Sequence, residues 1–173
     1  MLIRLGREDD LVAVIALERA TPDAPHWSDA EYARSVASQP GAEATDALRR
    51  CVLVATAEQE IIGFAVASAI GSPSSTEGEI ESVVVAAHAR RRRVGWALCE
   101  ALLAWCQSEG ARTVALEVRS KSTGAIRLYE GLGFTVSGRR VGYYKEPADD
   151  ALRMHCALNG PLRGALPAGS LHV

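Results

Sequence analysis

Apolar positions along the chain switch between a strand-like and a helical spacing, which predicts alternating strands and helices. Two apolar runs joined by a polar turn predict a hairpin of strands at Cys51–Ala55 and Ile61–Ser68, followed by a Ser/Pro/Gly loop at Gly71–Gly78. The next run, Glu79–Val85, ends in three consecutive valines, which is typical of a strand covered on both faces. The middle of the chain is therefore predicted to be sheet.

A helical stripe begins at Val94, and Gly110 is predicted to end that helix. Beyond it, Thr113–Val118 alternates, so that Glu117 is predicted on the face opposite its apolar neighbours. A short helix is predicted at Ala125–Tyr129. The apolar stripe of the helix that begins at Val94 comprises Val94, Ala97, Leu98, Ala101, Leu102 and Trp105.

The two ends of the chain add further elements. Leu2–Leu5 is predicted to be a first strand, and Asp9 or Asp10 is predicted to cap the helix that follows. A second helix is predicted from Ser28, with Glu31 completing a capping box. This order of elements predicts a mixed α/β sheet with helices packed on its faces. The last two predicted strands are Phe134–Ser137 and Leu152–Leu158.

Length and composition favour one ordinary globular domain. The chain has 173 residues, of which 48% are apolar and 23% charged. We expect a single domain at residues 1–158 and a flexible tail at 159–173, where Gly, Pro and Ala recur without a period. No apolar stretch approaches the roughly 20 residues of a membrane span, and the N-terminus lacks the apolar core of a signal peptide. We therefore expect a cytoplasmic protein with no membrane partner.

The cysteines and histidines show no metal-ligand spacing, so no metal site is predicted. The four cysteines lie in core-like segments and form no CxxC pair, which favours buried thiols in a reducing cytoplasm. The residues concerned are Cys51, Cys99, Cys106, Cys156, His26, His88, His155 and His172.

An arginine run at a strand-to-helix turn is the strongest local signal. Backbone N–H groups at a helix start are unpaired and the helix dipole adds positive charge there, so this turn is predicted to bind a pyrophosphate. Because the net charge is only −2, the run favours a small anion and argues against a nucleic-acid partner. A Rossmann fold is not predicted, since no GxGxxG follows the first strand. The turn comprises Arg90, Arg91, Arg92, Arg93, Val94, Gly95 and Trp96.

Several short segments follow one another in a fixed order along the chain. They are Glu79–Val85, Gly95–Leu98, Leu116–Arg119, Ala125–Phe134 and Gly142–Tyr144, followed by Pro147 and Asp150–Leu152. Taken in this order they resemble the GNAT superfamily of N-acetyltransferases, and they look most like its bacterial branch that acetylates the N-terminal alanine of a small ribosomal protein. The resemblance implies a mostly antiparallel central sheet, acetyl-CoA as the acetyl donor, and a primary amine as acceptor.

The resemblance also implies roles for single residues. Glu117 would be the general base and Tyr129 the acid that protonates the sulfur of CoA. Backbone amides of Val83, Val84 and Val85 would bind the acetyl and pantetheine portions. The remaining implied contacts are the turn described above and Ser122 for the cofactor, and Tyr143 and Tyr144 for the acceptor's N-terminal residue.

Two positions depart from the family's pattern. Arg93 replaces the first glycine of the pyrophosphate loop, and we expect it to present its backbone N–H at a negative φ while its guanidinium adds a phosphate contact. Ser122 stands where the family usually has an asparagine, and it could instead cap the following helix.

Other interpretations of the same residues stay open. Glu117 could be a surface carboxylate paired with Arg119 or Arg112, and Tyr129 could be a core aromatic. Arg139 and Arg140 are interpreted as a solvated turn, while Glu79 and Glu81 are second candidates for the base. The alternative functions are acetylation of a small-molecule amine and a non-catalytic acetyl-CoA-binding module.

Overall fold

The computed structural model describes residues 1–22, 24, 27–37, 48–72 and 75–158. Short 3₁₀ turns at Glu8–Asp10 and Ala87–Ala89 precede the first and third helices. The main elements are β1 (Leu2–Leu5), α1 (Leu11–Arg19), α2 (Asp29–Ala37), β2 (Leu48–Ala57), β3 (Glu60–Ser72), β4 (Ser75–Val85), α3 (Val94–Ser108), β5 (Ala111–Arg119), α4 (Thr123–Gly131), β6 (Thr135–Lys145) and β7 (Ala148–Ala157).

Within these ranges the strands form one seven-stranded sheet in the order β1-β2-β3-β4-β5-β7-β6. Every neighbouring pair is antiparallel except β4 and β5, which run parallel. A parallel pair needs a crossover connection, and α3 supplies it. The predicted mixed, mostly antiparallel sheet is confirmed.

Helices cover both faces of the sheet. On one face α3 packs against the larger core, in which Leu98, Leu102 and Met154 are fully buried. On the other face α1 and α2 enclose a smaller cluster that includes Tyr32 and Phe64. Along β4, Val84 belongs to the smaller cluster while Val83 and Val85 pack against the larger one, so this strand contacts both layers as predicted.

The predicted loop at Gly71–Gly78 is wrong at both ends. β3 continues to Ser72 and β4 already begins at Ser75, with the two residues paired. The polar side chains concealed this hairpin, because along Ser75–Gly78 the buried positions are Thr76 and Gly78, which carry little apolar signal. The interpretation of Arg139 and Arg140 as a turn is also wrong, since both belong to β6.

The helix starts give one correction and one confirmation. Asp10 lies at the N-cap position of α1, but its carboxylate binds Arg4 and the backbone N–H of Arg7, so it does not cap the helix. The capping box of α2 is confirmed, because the N–H of Ser28 donates to Glu31 at 2.7 Å and the N–H of Glu31 donates to the Ser28 hydroxyl at 3.3 Å. The predicted tail at 159–173 lies outside the described residues.

No helix among the described residues is both long and apolar enough to cross a bilayer. The four cysteines are buried free thiols, as predicted.

Candidate active site

A gap in the sheet lies between the ends of β4 and β5. The paired residues run from Thr76 opposite Ala111 to Ile80 opposite Leu116, after which the strands separate. A bulge in β4 precedes the gap, because the partners of β3 skip from Ser82 to Ile80 and leave Glu81 unpaired. The backbone of Val83, Val84 and Val85 is paired with β3 on one side and is not paired with β5 on the other.

The start of α3 lies close to the end of β4. No side chain caps this helix at its N-cap residue Arg93, whose carbonyl accepts the N–H of Ala97 at 3.0 Å. The N–H groups of Val94, Gly95 and Trp96 therefore lie in the first turn of a helix that has no side-chain cap.

Arg93 corrects one expectation about this turn. Its φ is 60° and its ψ is 14°, so it has a left-handed conformation, which favours glycine, rather than the expected negative φ. Arg91 also has a φ of 60°. The turn thus keeps a glycine-like backbone path at two arginines, which is a strained conformation for residues with a Cβ.

The side chains of this turn divide into exposed cations and buried packing residues. All four arginines are exposed, and the Arg90 Nε donates to the Val85 carbonyl at 3.2 Å, which ties the turn to β4. Val94 is buried, and the indole of Trp96 lies so close to α4 that a Cβ at Gly131 would be 2.8 Å from its ring. Val94 and the ring of Trp96 therefore serve packing, while the backbone N–H groups of both residues lie in the first turn of α3.

Ser122 lies at the N-cap position of α4, and its side chain makes no capping hydrogen bond. Its carbonyl instead accepts the N–H of Ile126 at 3.0 Å. The interpretation of Ser122 as a side-chain cap is therefore wrong.

Glu117 lies on the face of β5 opposite the large core, with Leu116 and Val118 buried on the other side, as predicted. Its Oε1 accepts a hydrogen bond from Arg140 Nη1 at 2.9 Å, so its ion-pair partner is on β6 rather than the expected Arg119 or Arg112. Glu117 also lines a cavity of about 510 Å³. The charged residues that line this cavity are Glu77, Glu79, Glu117, Arg140 and Arg153.

Tyr129 lies on the other face of the sheet, on α4 within the large core. Its ring packs edge-on against Phe134, with the ring centroids 5.7 Å apart. Burial raises the pKa of the Tyr129 phenol well above its ordinary value, with smaller contributions from Cys99 and Tyr144. The phenol is therefore neutral at physiological pH and can donate a proton.

Tyr143 and Tyr144 form an aromatic pair on the β6 side of the site, with ring centroids 5.1 Å apart. Each ring is covered by an arginine: the guanidinium of Arg140 lies 4.2 Å from the Tyr143 centroid and that of Arg119 lies 4.0 Å from the Tyr144 centroid. Burial raises the pKa of Tyr144, while the charge of Arg119 opposes this shift and the charge of Glu117 adds to it.

The two alternative bases have different surroundings. Both oxygens of Glu81 accept from the Arg50 Nε, at 3.2 Å and 3.1 Å, so this carboxylate is engaged in an ion pair. Glu79 faces the cavity, and its pKa is raised first by burial and then by the charges of Glu81 and Glu117. Glu117 is the one of the three acids that lies on β5 at the edge of the gap.

The residues around the gap fit acetyl-CoA. The unpaired edge of β4 offers backbone groups to an extended amide chain such as pantetheine. The uncapped start of α3 and its four exposed arginines offer N–H donors and positive charge to a pyrophosphate. Among the described residues no group of three His, Cys, Asp or Glu side chains could hold a metal ion, while His26 and His172 lie outside those residues.

Sequence reasoning missed the residues that hold Glu117 and the Tyr143–Tyr144 pair in place. Arg140 was interpreted as solvated, yet it binds Glu117 and stacks on Tyr143. Asp149 and Asp150 were not given a role, yet both carboxylates accept hydrogen bonds from neighbouring turns. The only available signal was the match of Asp150–Leu152 to a family segment, which does not identify a partner.

Comparisons with known proteins agree with this geometry. The model of the acetyltransferase (GNAT) family matches residues 11–134. A mycothiol acetyltransferase of Stackebrandtia nassauensis is 37% identical over 87 residues, which are 50% of this chain and 28% of that protein. The ribosomal protein bS18-alanine N-acetyltransferase of Salmonella typhimurium is 33% identical over 89 residues, 51% of this chain and 57% of that protein. The chain thus spans about half or less of the length of several of its curated relatives.

Solved structures resemble the fold over nearly the whole chain. The ribosomal-protein-S18-alanine N-acetyltransferase of Escherichia coli has a TM-score of 0.72 at 25% identity, covering 95% of this chain and 98% of its own. Chaetomium thermophilum Naa20, solved with a bisubstrate analogue, has a TM-score of 0.77 at 24% identity, covering 99% of this chain and 95% of its own, and supports the fold alone. The chain belongs to the acetyltransferase (GNAT) family, as its motifs predicted.

Proposed function

We propose that this protein is an N-acetyltransferase that moves the acetyl group of acetyl-CoA to the N-terminal amine of a protein, most specifically the N-terminal alanine of a ribosomal protein. The observation that carries the proposal is the gap between β4 and β5. A carboxylate, Glu117, lies on one face of the sheet at this gap, and a buried phenol, Tyr129, lies on the other.

Acetyl-CoA supplies a thioester whose acetyl group is transferred. The first-turn N–H groups of α3 and the guanidinium groups of Arg90, Arg91, Arg92 and Arg93 would hold its pyrophosphate. The open edge of Val83–Val85 would hold pantetheine and the acetyl group, and an amide on this edge can donate to negative charge that develops on the acetyl oxygen. Ser122, at the start of α4, would add a donor and an acceptor on the same side.

The proton transfers follow from the two faces. An α-amino group has a pKa of about 8, so an N-terminal acceptor needs only modest help to become neutral. Glu117 would take its proton, directly or through water. A tyrosine with the ordinary pKa of about 10 is neutral at physiological pH, and burial holds the Tyr129 proton more tightly still; this phenol would give its proton to the sulfur as the thiolate departs. Acid–base help of this kind typically contributes about 10²–10⁴-fold in rate.

Three observations support a protein N-terminus as the acceptor. Glu117 and Arg140 line the same cavity, and Arg140 stacks on Tyr143, so the Tyr143–Tyr144 pair adjoins this cavity through Arg140. Two of the relatives described above are named for acetylating a ribosomal protein. Buried free thiols are consistent with the cytoplasm, where ribosomal proteins are made.

Acetylation of a small-molecule amine is the second candidate function. The specific observation that favours it is the 37% identity to a mycothiol acetyltransferase, over half of this chain. Both functions use the same donor and the same acid–base pair, so they differ only in what enters the acceptor cavity. A non-catalytic acetyl-CoA-binding module would keep the α3 turn and need neither Glu117 nor Tyr129.

The test is a CoA-release assay with acetyl-CoA and three kinds of acceptor. These are a peptide beginning with the N-terminal sequence of ribosomal protein bS18, the same peptide with a blocked N-terminus, and a panel of small amines. We expect turnover on the free peptide that collapses in Glu117→Gln and Tyr129→Phe and persists in the exposed-site control Glu8→Gln. Turnover on small amines alone would contradict a protein N-terminus as the acceptor and favour the second candidate function. Binding of acetyl-CoA without turnover on any amine would contradict the enzymatic function.

A further inference from the structure

Two adjacent carboxylates at the start of β7, Asp149 and Asp150, each hold a different turn of the candidate active site. We propose that they are positioning residues with separate duties: Asp149 sets the cofactor side and Asp150 sets the acceptor side. This inference rests on the proposed function, because it assigns each turn to one of the two substrates.

Asp149 organises the turn that joins β5 to α4. Its Oδ1 accepts the Ser120 hydroxyl at 2.7 Å and the N–H of Asp150 at 2.9 Å, and its Oδ2 accepts the N–H of Lys121 at 3.2 Å. The side chain is largely buried, with 8% of the residue exposed. Because Ser122 begins α4 directly after this turn, Asp149 fixes the start of the helix that carries Tyr129.

Asp150 organises a bulge in β6. The register passes from Arg140 opposite Ala151 to Tyr144 opposite Asp149, so the three residues 141–143 lie opposite Asp150 alone. Gly142 has a φ of 62° in this bulge, and its N–H donates to Asp150 Oδ1 at 2.7 Å. Asp150 Oδ2 accepts from the Arg139 Nε at 2.7 Å.

The bulge determines where the acceptor side chains lie. With regular pairing, one residue of β6 would face Asp150, whereas three do here, so the strand carries two extra residues between Arg140 and Tyr144. The bulge instead brings Tyr143 beneath the guanidinium of Arg140, which in turn binds Glu117. Asp150 therefore acts on the candidate base and on both tyrosines without touching either substrate.

Both carboxylates are held in the ionised form. The pKa of Asp149 is lowered, first by the Ser120 hydroxyl and then by the backbone N–H groups of Lys121 and Asp150. The pKa of Asp150 is lowered, first by the N–H of Gly142 and then by Arg139. Asp149 and Asp150 are adjacent in β7, so the turn on the cofactor side and the bulge on the acceptor side are both held by the same short segment of that strand.

The experiment compares Asp149→Asn with Asp150→Asn, using Asp9→Asn on an exposed 3₁₀ turn as the matched control. An Asn at either site keeps its shape and one acceptor but places an NH₂ group against a donor. We expect Asp149→Asn to raise the KM for acetyl-CoA about tenfold with little change in the acceptor KM, and Asp150→Asn to do the reverse. Equal changes in both KM values for both variants would overturn the proposal and mean a merely structural role.

Milder variants keep the test valid if an Asn variant folds poorly. Ser120→Ala removes one donor to Asp149, and Arg139→Gln removes the charged partner of Asp150. Each should shift the same KM as the matching Asp variant, by about twofold to fivefold. A shift in the opposite substrate would contradict the assignment.

Two readouts separate this inference from the proposed function. Calorimetric binding of CoA needs no acceptor, and it should weaken in Asp149→Asn and stay unchanged in Asp150→Asn. Amide hydrogen exchange at Gly142 should accelerate only in Asp150→Asn, and exchange at Lys121 only in Asp149→Asn. If the wild-type protein acetylates no amine, the proposed function fails. CoA binding and hydrogen exchange would still show whether Asp149 and Asp150 hold different turns.

Discussion

The proposed cofactor side and the proposed acceptor side of the candidate site differ in the groups that form them. The cofactor side consists mainly of backbone: the open edge of β4 and the uncapped start of α3. The acceptor side consists of side chains linked through ion pairs and cation–π contacts, from Glu117 through Arg140 to Tyr143. Every residue type supplies a backbone N–H except proline, so binding on the cofactor side should tolerate an arginine in place of glycine. Single substitutions should instead disrupt the linked side chains of the acceptor side.

The largest expected effect concerns Tyr129, the proposed proton donor to the sulfur of CoA. Tyr129→Phe removes the hydroxyl and keeps the ring that packs on Phe134. We expect kcat to fall about 10²–10⁴-fold while acetyl-CoA still binds, as measured by CoA release and calorimetry. A loss of CoA binding in parallel with kcat would assign Tyr129 to packing instead.

A substitution at Arg140 tests whether the acceptor side depends on linked side chains. Arg140→Gln removes both the ion pair with Glu117 and the stacking on Tyr143. We expect the KM of the peptide acceptor to rise about tenfold with an unchanged KM for acetyl-CoA, in steady-state kinetics with each substrate varied. Arg112→Gln, at an exposed position of β5, controls for the loss of a positive charge, and an equal effect from it on the acceptor would contradict the specific role of Arg140.

The strained turn tests the opposite expectation for the cofactor side. Arg93→Gly relieves a left-handed φ of 60°, so we expect stability to increase by about 1 kcal/mol and Tm by about 2–4 °C. Affinity for CoA should fall by less than about tenfold, since the backbone N–H groups remain and only a guanidinium is lost. Arg93→Ala keeps the strain and loses the charge, and an equal gain in Tm from it would refute the conformational explanation.

The smallest expected effect concerns Glu79, whose pKa is raised by burial and by its acidic neighbours. The ionised form is therefore disfavoured in the folded state, and stability falls as the pH rises from the unfolded pKa through the folded one. Glu79→Gln should raise Tm by about 1–2 °C at pH 7 and by nothing measurable at pH 3.5, where the carboxyl is protonated in both states.

Differential scanning fluorimetry across that pH range is the measurement for Glu79. Glu8→Gln, on an exposed turn, controls for the general effect of removing a negative charge. A Glu79→Gln gain that persists undiminished at low pH would mean that packing, not charge, is responsible.

Much of the fold followed from apolar spacing because helix α3 and strand β5 bury one face each, while the central strands β2, β3 and β4 are apolar on both faces. The alternation around Glu117 and the stripe of α3 are examples, and both were predicted within a few residues. The hairpin from Ser72 to Ser75 and the length of β6 were missed, since their side chains are polar or exposed. Pairing with neighbouring strands, which no local pattern records, determines those segments.

In the candidate site, too, some features could be predicted from local motifs, while others arise only from contacts across the sheet. The turn from Arg90 to Gly95 and the paired roles of Glu117 and Tyr129 came from motifs that are contiguous in sequence. The ion pair of Glu117 with Arg140 joins residues 23 positions apart across β7, and the bulge opposite Asp150 depends on register. Such contacts arise only once the sheet is assembled, so sequence spacing could not reveal them.

The parallel join between β4 and β5 has a consequence for how the chain folds. Strands β1 to β4 pair in chain order and β5 to β7 pair among themselves, so the β4–β5 ladder is the backbone pairing that joins the two groups of strands. A parallel pair needs a crossover, so this ladder can form only once α3 has packed across the sheet, where the large core draws residues from both groups. We therefore expect the gap at the end of this ladder to be completed late in folding, after the antiparallel pairs on either side of it.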